Sequence, residues 1–234
     1  MERSLQALEA AALRTMGAFE AQHVANTLHT MAKNRYRPLD LSLVPELERR
    51  AEAVAGTFKA QNVANTLWAY ATMGRAPGVR MIRELEGRAE ALAGTFNSQD
   101  VANTLWSYAT MGRAPGAAVM RELEGRAEAL AGTFKAQDVA NTLWAYATMG
   151  REPGAGLMRV LEGRAEALAG TFTAQAVANT LWAYATMGEA PGAGLMRVLE
   201  ARAEALAGTF NAQAVANTLW AYATMGQEIG RAHV

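Results

Sequence analysis

The chain has 234 residues, 51% hydrophobic and 19% charged, a balance that supports a sizeable packed core rather than disorder. Its 22 basic and 22 acidic side chains cancel, which argues against a surface built wholly for phosphate. The absence of cysteine excludes disulfides, thiolate metal sites and cysteine nucleophiles.

Met1 to Ala18 reads as a helix that feeds directly into a repeat. With Glu2 and Glu9 in it, it is neither a signal peptide nor an acid-poor transit peptide, so no targeting segment is visible. The first copy of the repeat is degenerate and begins at Val24. Then VANTLWAYATMG starts at Val63, Val139, Val177 and Val215 and, with Ser107 in place of alanine, at Val101, a spacing of 38 residues throughout. A fixed period of about 20–50 residues marks a solenoid, whose units bury their apolar faces against their neighbours.

The predicted organisation is an N-terminal helix plus degenerate first repeat over 1–57, four near-identical repeats over 58–209, and a half repeat over 210–226. Residues Glu228 to Val234 break the pattern and read as a non-native tail, resembling translated adapter sequence. The natural chain is expected to continue past Gly226, which would make this a fragment. No apolar run approaches the roughly 20 residues of a bilayer span, so no membrane association is expected.

Within one unit, Phe96 to Thr133, Gly112 and Gly132 punctuate and Pro115 follows the first glycine. Glycine just past a helix end and proline at the next start predict two helices, roughly 98–111 and 115–131. No segment alternates strictly, so strands are not supported. The expected fold class is all-α, an α-solenoid of tandem helix-turn-helix repeats resembling HEAT or pentatricopeptide superhelices.

At 100° per residue, Val63, Ala64, Leu67, Tyr70 and Ala71 share one arc of the first helix. Gln61, Asn62, Asn65, Ala69 and Thr72 share the other, with Trp68 at the border. Phe58, before an N-cap at Lys59, stands at staple spacing from Val63. In the second helix Val119, Met120, Leu123, Ala127 and Leu130 form the apolar stripe. Arg121, Glu122, Glu124, Arg126 and Glu128 read as a solvated face with local ion pairs, each contributing about 0.2–0.5 kcal/mol.

Comparison of copies shows where the chain varies. Residues 134–171 and 172–209 differ at five positions, none on the apolar stripe and four changing charge. Each copy carries its own pair in the first turn after phenylalanine: Lys59 and Asn62, Asn97 and Asp100, Lys135 and Asp138, Thr173 and Ala176, Asn211 and Ala214, with Glu20 and His23 in the degenerate copy. Asn97, Thr173 and Asn211 suit an N-cap, whereas a lysine caps poorly and opposes the helix dipole. The row is the candidate ligand-contacting site, with lysines near phosphates at helix N-termini; neutral drift on an exposed edge is the alternative. The recurring asparagines, of which Asn65 is the first, read as inter-repeat ladders or ligand contacts, and Trp68, Trp106, Trp144, Trp182 and Trp220 as inter-repeat core.

With Phe-x-(Ala/Ser)-Gln-x-Val-Ala-Asn-Thr-Leu-Trp-Ala-Tyr-Ala recurring over about 19–226, the chain resembles the octotricopeptide repeat proteins of algae and their relatives. These overlap with FAST-kinase-like, RAP-domain-associated helical repeats and with helical subunits of mitochondrial RNA-editing substrate-binding complexes. In the first copy, His29 replaces tryptophan and Tyr36-Arg37-Pro38 replaces the Gly-x-x-Pro turn. The resemblance implies an α-solenoid that binds single-stranded organellar RNA, in mitochondrion or chloroplast, and governs its processing, stability or translation.

No phosphate loop, metal-ligand spacing or paired catalytic carboxylates appear, so no enzyme, cofactor, metal or small-molecule substrate is expected. The live alternative is a scaffold for protein partners without RNA binding. The zero net charge favours it, while one variable polar pair per repeat favours RNA.

Overall fold

The computed structural model describes residues 2–232, with side chains described from 3 to 226. The fold is all-α, and among the described residues there are twelve α-helices and no strand. First helices of the repeats are α2 (Ala21–Lys33), α4 (Ala60–Thr72), α6 (Ser98–Thr110), α8 (Ala136–Thr148), α10 (Ala174–Met187) and α12 (Ala212–Ala232). Second helices are α3 (Leu43–Val54), α5 (Val79–Leu92), α7 (Ala117–Leu130), α9 (Ala155–Leu168) and α11 (Ala193–Ala205), and α1 spans Glu2–Thr15. The tail expected from Glu228 enters α12, whose backbone is helical to Ala232; its side chains, and His233 and Val234 altogether, lie outside the described residues.

Glycine ends the first helix by a left-handed cap. Gly74, Gly112, Gly150 and Gly188 have φ between 65° and 76°. In the α4 copy the Gly74 N–H donates to Ala71 O at 3.0 Å and the Arg75 N–H to Tyr70 O at 3.0 Å, the two bonds of a Schellman motif. In the degenerate copy Arg35 occupies this place at φ 52°, a non-glycine residue in a region that disfavours it.

Two turn expectations are corrected. Gly132 does not supply a left-handed cap: it lies in a 3₁₀ turn, Ala131–Thr133, closed by the Thr133 hydroxyl donating to Leu130 O at 2.8 Å. The prolines do not open the second helices either. Pro77 and Pro153 are buried and precede Gly78 and Gly154, which are the N-caps.

Clustering of contacts divides the chain into two compact units. The first comprises Met1–Phe96 with Pro115–Glu122; in it α2 packs on α4, α3 lies against α1, α2 and α5, and α4 also meets α5. The second comprises Asn97–Ala114 with Leu123–Val234; in it α6, α8, α10 and α12 pack successively side by side, α8 and α10 are backed by α9 and α11, and those two touch. In both units the deepest side chains are the tyrosines and phenylalanines of the repeat, Tyr70 and Phe58 in the first and Tyr146, Tyr184, Phe134 and Phe172 in the second, alongside the valine and leucine of the first helices α2, α4, α6, α8 and α10.

The solvated face expected for Glu124 and its equivalents is the clearest correction. Glu48 accepts from the Gly78 N–H at 2.6 Å and from the Tyr70 hydroxyl at 3.0 Å. Glu124 does the same for Gly154 and Tyr146, both at 2.9 Å. Each carboxylate therefore caps the following repeat's second helix and satisfies its buried tyrosine. Two residues after the glutamate position, an arginine Nε donates to the carbonyl of the preceding phenylalanine: Arg88 to Phe58 at 2.7 Å, Arg164 to Phe134 at 2.8 Å, Arg202 to Phe172 at 2.8 Å. Burial, with the neighbouring carboxylate, pushes the Tyr70 and Tyr146 phenols well above their ordinary range.

The same device identifies α1. Its Glu9, 6% exposed, accepts from the Tyr36 hydroxyl at 2.5 Å and from the Leu39 and Asp40 N–H groups at 3.0 and 2.9 Å. Glu9 thus ties α1 to the turn between α2 and α3, thirty residues on, as Glu48 ties α3 to the start of α5, and α1 stands in the place of a second helix.

Candidate functional site

The first-turn pairs stand where each first helix begins, and the structure separates their two members. Lys59, Asn97, Lys135, Thr173 and Asn211 are exposed N-cap residues. Their partners are buried: Asn62, Asp100, Asp138, Ala176 and Ala214 are all below 9% exposed. Asn62 Oδ1 accepts from the Lys59 N–H at 3.0 Å, and Asp138 Oδ2 from the Lys135 N–H at 3.0 Å, so these side chains serve the cap. Of the expected pairs, the N-cap member is the exposed one; of the buried members, Ala176 and Ala214 still border the cavities that the N-caps line.

The caps themselves differ as their chemistry dictates. Asn97 Oδ1 accepts from the Asp100 N–H at 2.8 Å, Thr173 Oγ1 from Ala176 at 3.2 Å and Asn211 Oδ1 from Ala214 at 2.8 Å. Lysine has no acceptor, so at Lys59 and Lys135 this bond is forgone.

In the second unit these N-caps line a cavity that repeats from copy to copy. One, of about 340 Å³, is bordered by Lys135, Gln137, Arg164, Leu168 and Thr173. The next, of about 380 Å³, is bordered by Thr173, Gln175, Arg202, Leu206 and Asn211. The chemistry in each is a helix N-terminus, an arginine anchored through its Nε, a glutamine and two successive N-cap residues. Sequence reasoning missed the arginine, because it placed Arg126 and its equivalents on a solvated face; their signal was a fixed place in every repeat, thirty residues after the phenylalanine whose carbonyl they hold.

A second accessible row runs along the first helices. Gln61, Asn65, Trp68 and Thr72 are exposed or half-buried, and the row recurs without change in every full copy. Two expectations are corrected here. The tryptophans meet one another between repeats, with ring centroids 6.4–6.5 Å apart from Trp106 through Trp144 and Trp182 to Trp220, but Trp106, Trp144 and Trp182 are half-buried, Trp220 is exposed, and none is core. In the degenerate copy His29 takes the tryptophan's place, 4.7 Å from the Trp68 ring. The asparagines bond along their own helix, as Gln175 Nε2 donates to Asn179 Oδ1 at 2.7 Å and Gln213 to Asn217 likewise.

Burial pushes the Asp100 and Asp138 carboxyls up, against the N-cap N–H, which pulls them down. A raised folded pKa adds stability that is present in acid and lost as pH rises through that value. Asp138→Asn keeps an acceptor, as Asn62 shows, and removes that loss. Urea unfolding should give the variant equal or greater stability at neutral pH and no advantage in acid. A neutral-pH loss above about 1 kcal/mol would show that the ionised cap bond outweighs its desolvation.

Among the described residues no group of three or more His, Cys, Asp or Glu stands where it could hold a metal, and no helix is long and apolar enough to cross a membrane. The family model of the RNA-editing substrate-binding complex 6 protein matches residues 6–223, and the chain belongs to that family. No curated protein matches the chain.

Proposed function

We propose that the chain is a non-enzymatic helical repeat protein that binds single-stranded RNA and acts in organellar RNA processing, in the mitochondrion, where RNA-editing complexes work. Membership of a family named for a substrate-binding complex supports an RNA-handling role. The geometric observation that carries the reading is the exposed N-cap at the start of each first helix, Lys59 in the first unit and Asn97, Lys135, Thr173 and Asn211 in the second, whose residue differs from repeat to repeat. In the second unit Lys135, Thr173 and Asn211 stand over cavities containing Arg164 and Arg202. With Nε held by a phenylalanine carbonyl, the remaining guanidinium N–H groups suit a phosphate, as does the adjacent helix N-terminus. The varying residue would then meet the base, and the recurring Gln, Asn, Trp and Thr would supply contacts common to every nucleotide. Asn62, Asp100, Asp138, Ala176 and Ala214 act in this scheme only by setting the cap.

Binding of a random single-stranded RNA pool, followed at rising salt, tests the reading. It should be weak and fall with ionic strength, as phosphate-led binding does. Exchanging Lys59 and Lys135 together for threonine should remove most binding. It should not cost stability, because threonine restores the cap bond seen at Thr173. The second reading, a scaffold for protein partners, is favoured by the cancelling charges of the chain. Binding that survives the double exchange would make it the better one.

A further inference from the structure

Three of the four full repeats place an arginine just after the glycine that ends the first helix: Arg75, Arg113 and Arg151. In the copy of α10 the same place is Glu189. The backbone is the same in both cases. The Glu189 N–H donates to Tyr184 O at 3.0 Å, as the Arg151 N–H does to Tyr146 O at 3.0 Å.

What differs is the joint beside it. At Tyr146, burial and then Glu124 push the phenol up, and Arg151 pulls against them. There Glu124 accepts from both the hydroxyl and the Gly154 N–H. Arg75 stands in the same relation to Tyr70 and Glu48. At Tyr184 burial again raises the phenol, and the three charges acting on it, Glu162, Glu189 and Glu166, all raise it further. Glu162 still accepts from the Gly192 N–H. The Tyr184 hydroxyl, however, on a side chain 2% exposed, has no hydrogen-bond partner.

A buried hydroxyl left unpaired is costly, and carboxylates gathered without a cation repel one another. The joint is short of one positive charge. Glu162 is half-buried while Glu166 and Glu189 are exposed, so the cluster is open to solvent. Among the described residues no three acidic groups stand where they could hold a metal ion, so the spacing suits a broader cation. The other copies show which one: they use arginine three times at this place and lysine never. A guanidinium is planar, carries five donors and bridges carboxylates.

We infer that the joint of α9, α10 and α11 is a docking site for an arginine side chain of a protein partner. That arginine takes the place Arg151 holds one repeat earlier. Its guanidinium, seated among the carboxylates, offsets their repulsion and lets Glu162 accept from Tyr184 as Glu124 accepts from Tyr146. The same cluster repels phosphate, so the inference does not rest on RNA binding.

Titration of the full chain with acetyl-Gly-Arg-Gly-amide at constant ionic strength tests it, with the Gly192 and Gly154 amide signals followed by NMR. A saturable shift is expected at Gly192 and none at Gly154. The corresponding lysine peptide should bind at least about threefold more weakly. Glu189→Arg supplies the cation from the chain itself, and should abolish the Gly192 response without lowering the melting temperature. Arg151→Glu should create a second saturable response, at Gly154. The inference is overturned if the arginine peptide leaves Gly192 unmoved, or if the lysine peptide or magnesium ion matches it. A response that survives Glu189→Arg, or an Arg151→Glu chain with none at Gly154, overturns it equally.

Discussion

Phe134→Ala is expected to lower the unfolding free energy by about 3–5 kcal/mol, the range for a large aromatic truncated inside a core. Trp144→Ala should cost about 2 kcal/mol or less, although tryptophan is the larger side chain. Phe134 is 0% exposed, whereas Trp144 is half-buried in an open ladder with Trp106 and Trp182 on either side. The phenylalanine ring fills a closed site before the α8 N-cap, and its removal leaves a cavity that the rigid turn cannot collapse around. The tryptophan's departure opens a notch that water can enter, with loss of two edge contacts. Urea unfolding of both variants at one pH decides the matter. Equal costs would mean that the ladder is core after all and that its rings are not available to a ligand.

The helices, their boundaries and the repeat were legible because each rests on local signals. Apolar spacing set the stripes, and the glycine after each first helix had a conformational reason to be there. What sequence reading misjudged was burial on the flanks, and the end copies show why. A helical wheel assumes one buried face. In the second unit α8 and α10 each have a first helix on both sides as well as a second helix behind, so side chains well off the apolar stripe are also covered. In α2, the flank without a neighbour leaves His23 and Thr30 exposed; the same positions in α4 are Asn62 and Ala69, both buried. Asn62 and Asp138 therefore looked like half of a ligand-reading pair and are cap residues. Glu124 and Arg126 suffered the opposite error. Alternating charges on a helix usually mean solvent, and nothing local shows that such a carboxylate reaches a glycine N–H thirty residues on. The signal was present only as a coincidence across copies: a glutamate in the second helix, then a tyrosine and a Pro-Gly in the next repeat, always at the same separations.

That coincidence gives the other large effect. Glu124→Ala should cost about 2–4 kcal/mol, because it leaves the Tyr146 hydroxyl, on a side chain 1% exposed, without its acceptor and removes the cap of α9. Gly154→Ala should also be costly in the native background, for a reason outside the backbone. Gly154 has φ −57° and ψ 152°, which any residue adopts, so no conformational strain is involved. A Cβ there would overlap the Glu124 carboxylate and push it from both of its donors. In a chain that already lacks Glu124 the added methyl meets open space and should cost almost nothing. The two substitutions should therefore be far from additive, with a coupling of at least about 1 kcal/mol in a double-mutant cycle. If Gly154→Ala is as harmful without Glu124 as with it, the glycine serves the turn alone, and the carboxylate is not what joins one repeat to the next.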